Sequence, residues 1–220
     1  KMAVAVIRGI QSQRVAACVK HFACNNQETN RGKVSAEVSE RALREIYLPA
    51  FEGAVREADV WSVMTSYNKV NGIYSCENRD LLVERLRGEW GFRGFTVSDW
   101  FAVRRATSTE SCVNGGLSLE MPGKGTKYGV KALREALNAG KFTEEALDGN
   151  VEGILRAMFH VGLFDDTSAL PEGSRNTPEH QALARTIAEE GVVLLKNEGD
   201  ALPLDVGGIR SVAVLGPNAT

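Results

Sequence analysis

Apolar and polar positions alternate along the chain on two different periods. Four short runs are nearly continuous in apolar residues: Val15 to Val19, Trp61 to Thr65 (WSVMT), Phe95 to Val97 (FTV) and, more weakly, Gly116 to Leu119 (GLSL). Their length and lack of a polar face predict strands buried on both sides. Between the first two runs the period changes to 3.6. From about Ser35 to Ala58, the residues Val38, Leu43, Ile46, Tyr47, Phe51 and Val55 fall near one helical face, with Glu37/Arg41 and Glu40/Arg44 four apart and Pro49 predicting a kink or a split. Further helices are expected at about Arg79 to Trp90, at about Tyr128 to Asn138, and from Thr143, where a capping hydroxyl and Glu144 and Glu145 suit a helix N-terminus.

Strands alternating with helices predict an α/β fold with a parallel sheet, either doubly wound or closed into a β/α barrel. A closed eight-stranded barrel takes about 250 residues, so residues 1–165 read as a partial barrel. The stretch DDTSALPEGSRN is polar and punctuated, which makes 166–176 a linker. Thr177 and Pro178 then open another helix, and GVVLLKN and RSVAVLG follow as strand candidates, so 177–220 reads as the start of a second α/β domain.

Composition narrows the function classes. Of 220 residues, 43% are apolar and 25% charged, and 26 basic against 28 acidic side chains leave a net charge of −2. No basic face is expected, so nucleic acid is not an expected partner, and no apolar run reaches the roughly 18 residues needed to span a bilayer, so neither is a membrane. Cys18, Cys24, Cys76 and Cys112 form no CxxC or Cys/His cluster, which argues against zinc. Cys18 reads as a small buried hydrophobe, one bridge among the four stays open, and the compartment is undetermined.

The candidate chemistry lies at the ends of the strand-like runs: Lys20-His21, then Ser66-Tyr67-Asn68, then Ser98-Asp99-Trp100, then Glu120. In parallel β/α folds these ends converge on one pocket. Two cations closing an apolar strand need a ligand or a partner, because an unpaired buried charge is costly. A carboxylate, two aromatics, a cation and an imidazole suit a ligand with many hydroxyls and apolar ring faces, as a sugar has. Lys20 alone also fits a Schiff-base lysine. Glu28 and Arg31 read as an ion pair within their loop, Met64 as core or pocket wall, and His160 and His180 as packing or surface residues. On a regular strand Lys20 and His21 point to opposite faces, so serving one ligand requires an irregular backbone at 20–22.

The segments KHFACNNQETNR, VMTSYNKVNG, GFRGFTVSDW, GLSLEMPG, HVGLFD and EEGVVLLKNEGDALPL together resemble glycoside hydrolase family 3, in order and approximate spacing, over about residues 15–217. The resemblance implies the C-terminal half of a TIM-like barrel followed by the beginning of an α/β sandwich domain, and a retaining β-glucosidase acting on a β-glucoside or oligosaccharide. Asp99 is then the nucleophile, Lys20 and His21 hold sugar hydroxyls and keep Asp99 ionised, Tyr67 donates a hydrogen bond to Asp99, and Trp100 and Met64 wall the pocket. Glu28, Arg31 and Glu120 would support them from behind. No metal or organic cofactor is expected. The acid/base glutamate and earlier sugar ligands would come from the remainder of the same enzyme, on the same gene product or another chain. β-Xylosidase or another specificity of the family, and an inactive fragment requiring a partner chain, are the alternatives. Two departures stand out: Ser118, where the family more often has Asp, and Phe101, often Gly.

Overall fold

The computed structural model describes residues 1–220 except 124, 167, 169–171, 218 and 220. It separates into two compact units, Lys1–Ser168 and Ala169–Thr220. Part of the expected linker, at 167 and 169–171, lies outside the described residues.

The first unit is α/β. After helix α1 (Met2–Gln11), strands β1 (Cys18–Phe22), β3 (Ser62–Thr65) and β6 (Phe95–Val97) form a parallel sheet in the order β1-β3-β6. A fourth extended segment joins only through the Val97–Leu119 bridge, where a strand was expected from Gly116. Three predicted strands are thus present, but the first begins at Cys18 rather than Val15. Cys18 is exposed instead of buried. A smaller sheet pairs β2 (Ser35–Ala36) with β4 (Lys69–Val70), and β4 with β5 (Ile73–Tyr74). It ties the loop after β1 to the loop after β3.

The helix expected from Ser35 to Ala58 is shorter and broken. Ser35 and Ala36 join a strand, and α2 (Glu40–Ala42) starts only after Ser39, whose hydroxyl accepts the Ala42 amide. The chain continues as a π-helical turn over Leu43–Tyr47, then as α3 (Pro49–Arg56) with Pro49 in the first turn. Proline lacks the amide that would continue the ladder, so the break falls where the residue demands it. A π-wound helix, Asp80–Glu89, is fastened to α2 by Arg85. This buried guanidinium donates to both Glu40 oxygens at 2.9 Å and to Asp80 at 2.8 Å. Hydrogen bonds from Arg85, and then from Arg44, hold the Glu40 carboxyl at about 2.

Phe22, fully buried, packs edge-on against Phe51 and Trp90 with ring centroids 5.0 and 6.0 Å apart, which seats the end of β1 on the helical layer. Helix α4 (Thr109–Gly115) carries a capping box from Ser108 and Ser111, α5 spans Val130–Asn138, and α6 (Glu144–His160) is capped by Thr143 as its sequence predicts. His160 stacks on Trp61 at 4.9 Å, a packing role. All four cysteines are free thiols.

The second unit contains α7 (Pro178–Gly191), with the Thr177 hydroxyl accepting the His180 amide and Pro178 in the first turn. The expected strands in GVVLLKN and RSVAVLG do not form. A strand needs a neighbour for its amides and carbonyls, and among the described residues neither run has one. Leu195 and Leu215 are each 91% exposed. No helix among the described residues is long and apolar enough to cross a membrane.

Candidate active site

The site forms where β1, β3 and β6 end. The backbone past β1 is pinned by the segment after β3: Ser66 Oγ and Asn68 Nδ2 both donate to the Ala23 carbonyl, at 3.0 and 3.2 Å. Ser66 and Asn68 are therefore structural, and Tyr67, between them, is the one turned toward the site. The pairing of β1 with β3 slips between Val19 and Phe22, the irregularity expected if Lys20 and His21 were to serve one ligand. The Lys20–His21 and Phe22–Ala23 peptides are cis.

Asp99 follows β6 and is 8% exposed. Its Oδ1 accepts the Trp100 amide at 2.7 Å, whereas its buried Oδ2 receives no hydrogen bond. Two groups face that oxygen: His21 Nε2 at 3.3 Å and Arg31 Nη2 at 3.8 Å. Burial pushes the His21 imidazole below its ordinary value, Asp99 pulls it up, and Lys20 and Arg31 push it down again. His21 is therefore biased toward its neutral form. The cation beside Asp99 is Arg31, which spans Asp99, Glu28 at 3.6 Å and the face of Tyr67 at 4.6 Å. Sequence places Arg31 as a partner of Glu28 in its loop and a support behind the site; its approach to within 3.8 Å of Asp99 itself depends on how that loop folds back.

Three expectations need correction. Tyr67 does not donate to Asp99: its hydroxyl donates to the Trp100 carbonyl at 2.8 Å. Burial and then the Asp99 charge raise the Tyr67 hydroxyl above its ordinary value, so it stays a donor. Trp100 thus has its amide on Asp99 and its carbonyl on Tyr67, and its ring stays 46% exposed. Glu120 does not support Asp99: its carboxylate accepts the amides of Thr126, Lys127 and Tyr128 at 2.8 to 3.0 Å and the Thr126 hydroxyl at 2.7 Å. Burial raises the Glu120 carboxyl, but these donors outweigh it and hold it below its ordinary value. Glu120 organises a loop. Lys20 is exposed in β1 and makes no ion pair with a carboxylate among the described residues.

Met64 is half-buried within β3, paired with Val97. Beside Asp99 a cleft of about 330 Å³ is lined by Arg31, Gly32, Tyr67, Trp100, Phe101 and Arg105. Phe101 adopts a left-handed backbone, φ 61°, with the Arg104 guanidinium 4.2 Å above its ring. For a bulky residue that conformation is an outlier costing about 1–2 kcal/mol. Chemically, the site offers one carboxylate oxygen free of donors, flanked by a neutral-leaning imidazole and a guanidinium, with aromatic faces next to it.

Residues 1–157 match the family model described as the glycosyl hydrolase family 3 N terminal domain. The chain is 48% identical over 217 residues to a β-glucosidase of Rhizobium radiobacter, covering 99% of this chain and 26% of that protein. It is 46% identical to the thermostable β-glucosidase B of Acetivibrio thermocellus, covering 98% and 27%. Among solved structures, β-glucosidase 3B from Thermotoga neapolitana in complex with glycerol superposes with a TM-score of 0.77 at 45% identity, over 92% of this chain and 28% of that one. The chain spans about a quarter of the length of the curated relatives it matches.

Proposed function

The chain belongs to glycosyl hydrolase family 3, and from that membership we propose that it forms part of a retaining exo-β-glucosidase whose nucleophile is Asp99. Residues 1–165 supply the C-terminal half of a β/α barrel, 166–176 a linker, and 177–220 the beginning of an α/β sandwich domain. The substrate is a terminal β-D-glucosyl residue on an oligosaccharide or other aglycone. No cofactor takes part. The remaining sugar ligands and the acid/base glutamate belong to the rest of the enzyme, outside this chain.

The observation that carries the reading is the donor-free Oδ2 of Asp99 at the end of β6. A carboxylate oxygen already holding hydrogen bonds is a weaker nucleophile, and this one has none. In the proposed reaction Oδ2 attacks the anomeric carbon, the bond to the aglycone oxygen breaks, and that oxygen takes a proton from the glutamate about 5 to 5.5 Å away. Water then displaces the sugar from Asp99 with the glutamate acting as base. Arg31 sets a positive charge 3.8 Å from Oδ2 of Asp99. His21 and Lys20 contact sugar hydroxyls, Trp100 and Met64 wall the ring, and Glu28 steadies Arg31.

The test is trapping with a 2-deoxy-2-fluoro β-glucoside bearing a good leaving group, in the native polypeptide. Peptide mapping should find the sugar on Asp99, and Asp99→Ala should lose about three decades of turnover, roughly 4 kcal/mol. A label on another carboxylate, Glu120 included, overturns the assignment.

A further inference from the structure

The cleft beside Asp99 holds one guanidinium more than the sugar reading uses. Three aromatic side chains, Tyr67, Trp100 and Phe101, and two guanidiniums, Arg31 and Arg105, line it together with Gly32. No carboxylate is among the lining residues. Arg31 is engaged, by Glu28 and Asp99. Arg105 makes no ion pair among the described residues, although its charge is felt at the Tyr67 hydroxyl across the cleft.

Arg105 is also positioned. A Cβ built on Gly32 would lie 2.9 Å from its Cζ and Nη2, so the guanidinium rests against the Gly32 backbone, which only glycine leaves clear. Phe101, also lining the cleft, keeps its left-handed backbone and carries the Arg104 guanidinium over its ring. Residues held in such conformations tend to collect at functional sites. The rings of Trp100 and Phe101 stay 46% and 43% exposed, so they can still take a ligand. A space of about 150 Å³ holds benzene, so 330 Å³ admits a substituted phenyl ring.

We propose that this cleft receives the aglycone, and that Arg105 makes the enzyme favour aglycones that are aromatic and carry a carboxylate, such as hydroxybenzoate-type β-glucosides. The proposal rests on the glycosidase reading above. The aglycone ring stacks on Phe101, and the carboxylate meets the guanidinium of Arg105, which has no ion-pair partner among the described residues, an arrangement matched to its planar fork.

The experiment compares kcat/KM for 4-carboxyphenyl and 4-carbamoylphenyl β-glucoside, nearly isosteric and differing in charge, in the native polypeptide. The acid-to-amide ratio should fall roughly fivefold in Arg105→Gln, the size of a partly exposed charge pair. Gly32→Ala, which displaces the guanidinium without removing it, should lower the ratio in the same direction. In wild type the preference should shrink in 1 M salt, where screening acts within about 3 Å. Phe101→Gly, which keeps the left-handed backbone and removes the ring, should slow both aryl glucosides relative to methyl β-glucoside. An unchanged ratio in Arg105→Gln, or in Gly32→Ala should Arg105→Gln not fold, overturns the aglycone assignment while hydrolysis of the amide leaves the glycosidase reading standing. If wild type hydrolyses neither substrate, both fall.

Discussion

His21 Nε2 stands 3.3 Å from Asp99 Oδ2, and this contact joins the end of β1 to the end of β6. Burial makes the imidazole harder to protonate in the folded chain than in the unfolded one, with Lys20 and Arg31 adding to the effect and Asp99 and Glu28 opposing it. The unfolded state therefore binds the proton first as pH falls through about 6.5, and stability declines over the window between that value and the lower folded one. His21→Gln removes this share of the decline. Its melting temperature, relative to wild type, should compare more favourably at pH 5 than at pH 7.5. A difference independent of pH would show that His21 does not titrate in this window.

Tyr67→Phe removes the hydrogen bond to the Trp100 carbonyl at 2.8 Å. The expected loss of stability is about 1 kcal/mol. Because Trp100 also donates its amide to Asp99, the variant should lose turnover more than binding, by about tenfold in kcat with little change in KM. A change confined to KM would detach Tyr67 from the placement of Asp99.

Glu120→Gln tests whether that carboxylate holds the 126–128 loop. Charge-assisted bonds to its donors should make the substitution cost about 2 kcal/mol at pH 7. The folded carboxyl lies below its ordinary value. Its stabilisation is therefore complete above the unfolded value of about 4.3 and fades as pH falls through the folded one. The wild-type advantage over Glu120→Gln should shrink in that acid range, read from denaturant midpoints. An equal gap at pH 7 and pH 3 would place the cost elsewhere.

The Ser118 hydroxyl accepts from Arg87 at 3.3 Å and from the Thr96 amide at 3.2 Å. Arg87 otherwise donates to the Gly94 carbonyl and lies over the Phe92 ring, with burial lowering its pKa. It makes no ion pair within 4 Å among the described residues, so Ser118→Asp should supply a partner for a charge already desolvated, raising stability by about 1 kcal/mol. Calorimetry of Ser118→Asp beside Ser118→Asn separates charge from size. If the two variants are equally stable, the carboxylate does not meet Arg87.

Much of the secondary structure was legible along the chain because its causes are short-range. The caps at Thr143 and Thr177-Pro178, the break at Pro49 and the strand at Phe95 each follow from residues within a few positions of the event. Asp99 was legible as the polar residue ending an apolar run, and the family motifs around it carried its proposed role. The need for an irregular backbone at Lys20 and His21 followed from the two-residue period of a strand, and the slipped pairing of β1 meets it. The side-chain partners were decided by tertiary structure, because they join segments far apart in sequence. Glu120 binds a loop instead of supporting Asp99, Tyr67 reaches the Trp100 carbonyl instead of the carboxylate, and Arg31 rather than Lys20 brings charge to Asp99. The same reason undid the strands expected in GVVLLKN and RSVAVLG: an apolar run states that a surface will be covered, but only a neighbouring strand can accept its backbone hydrogen bonds.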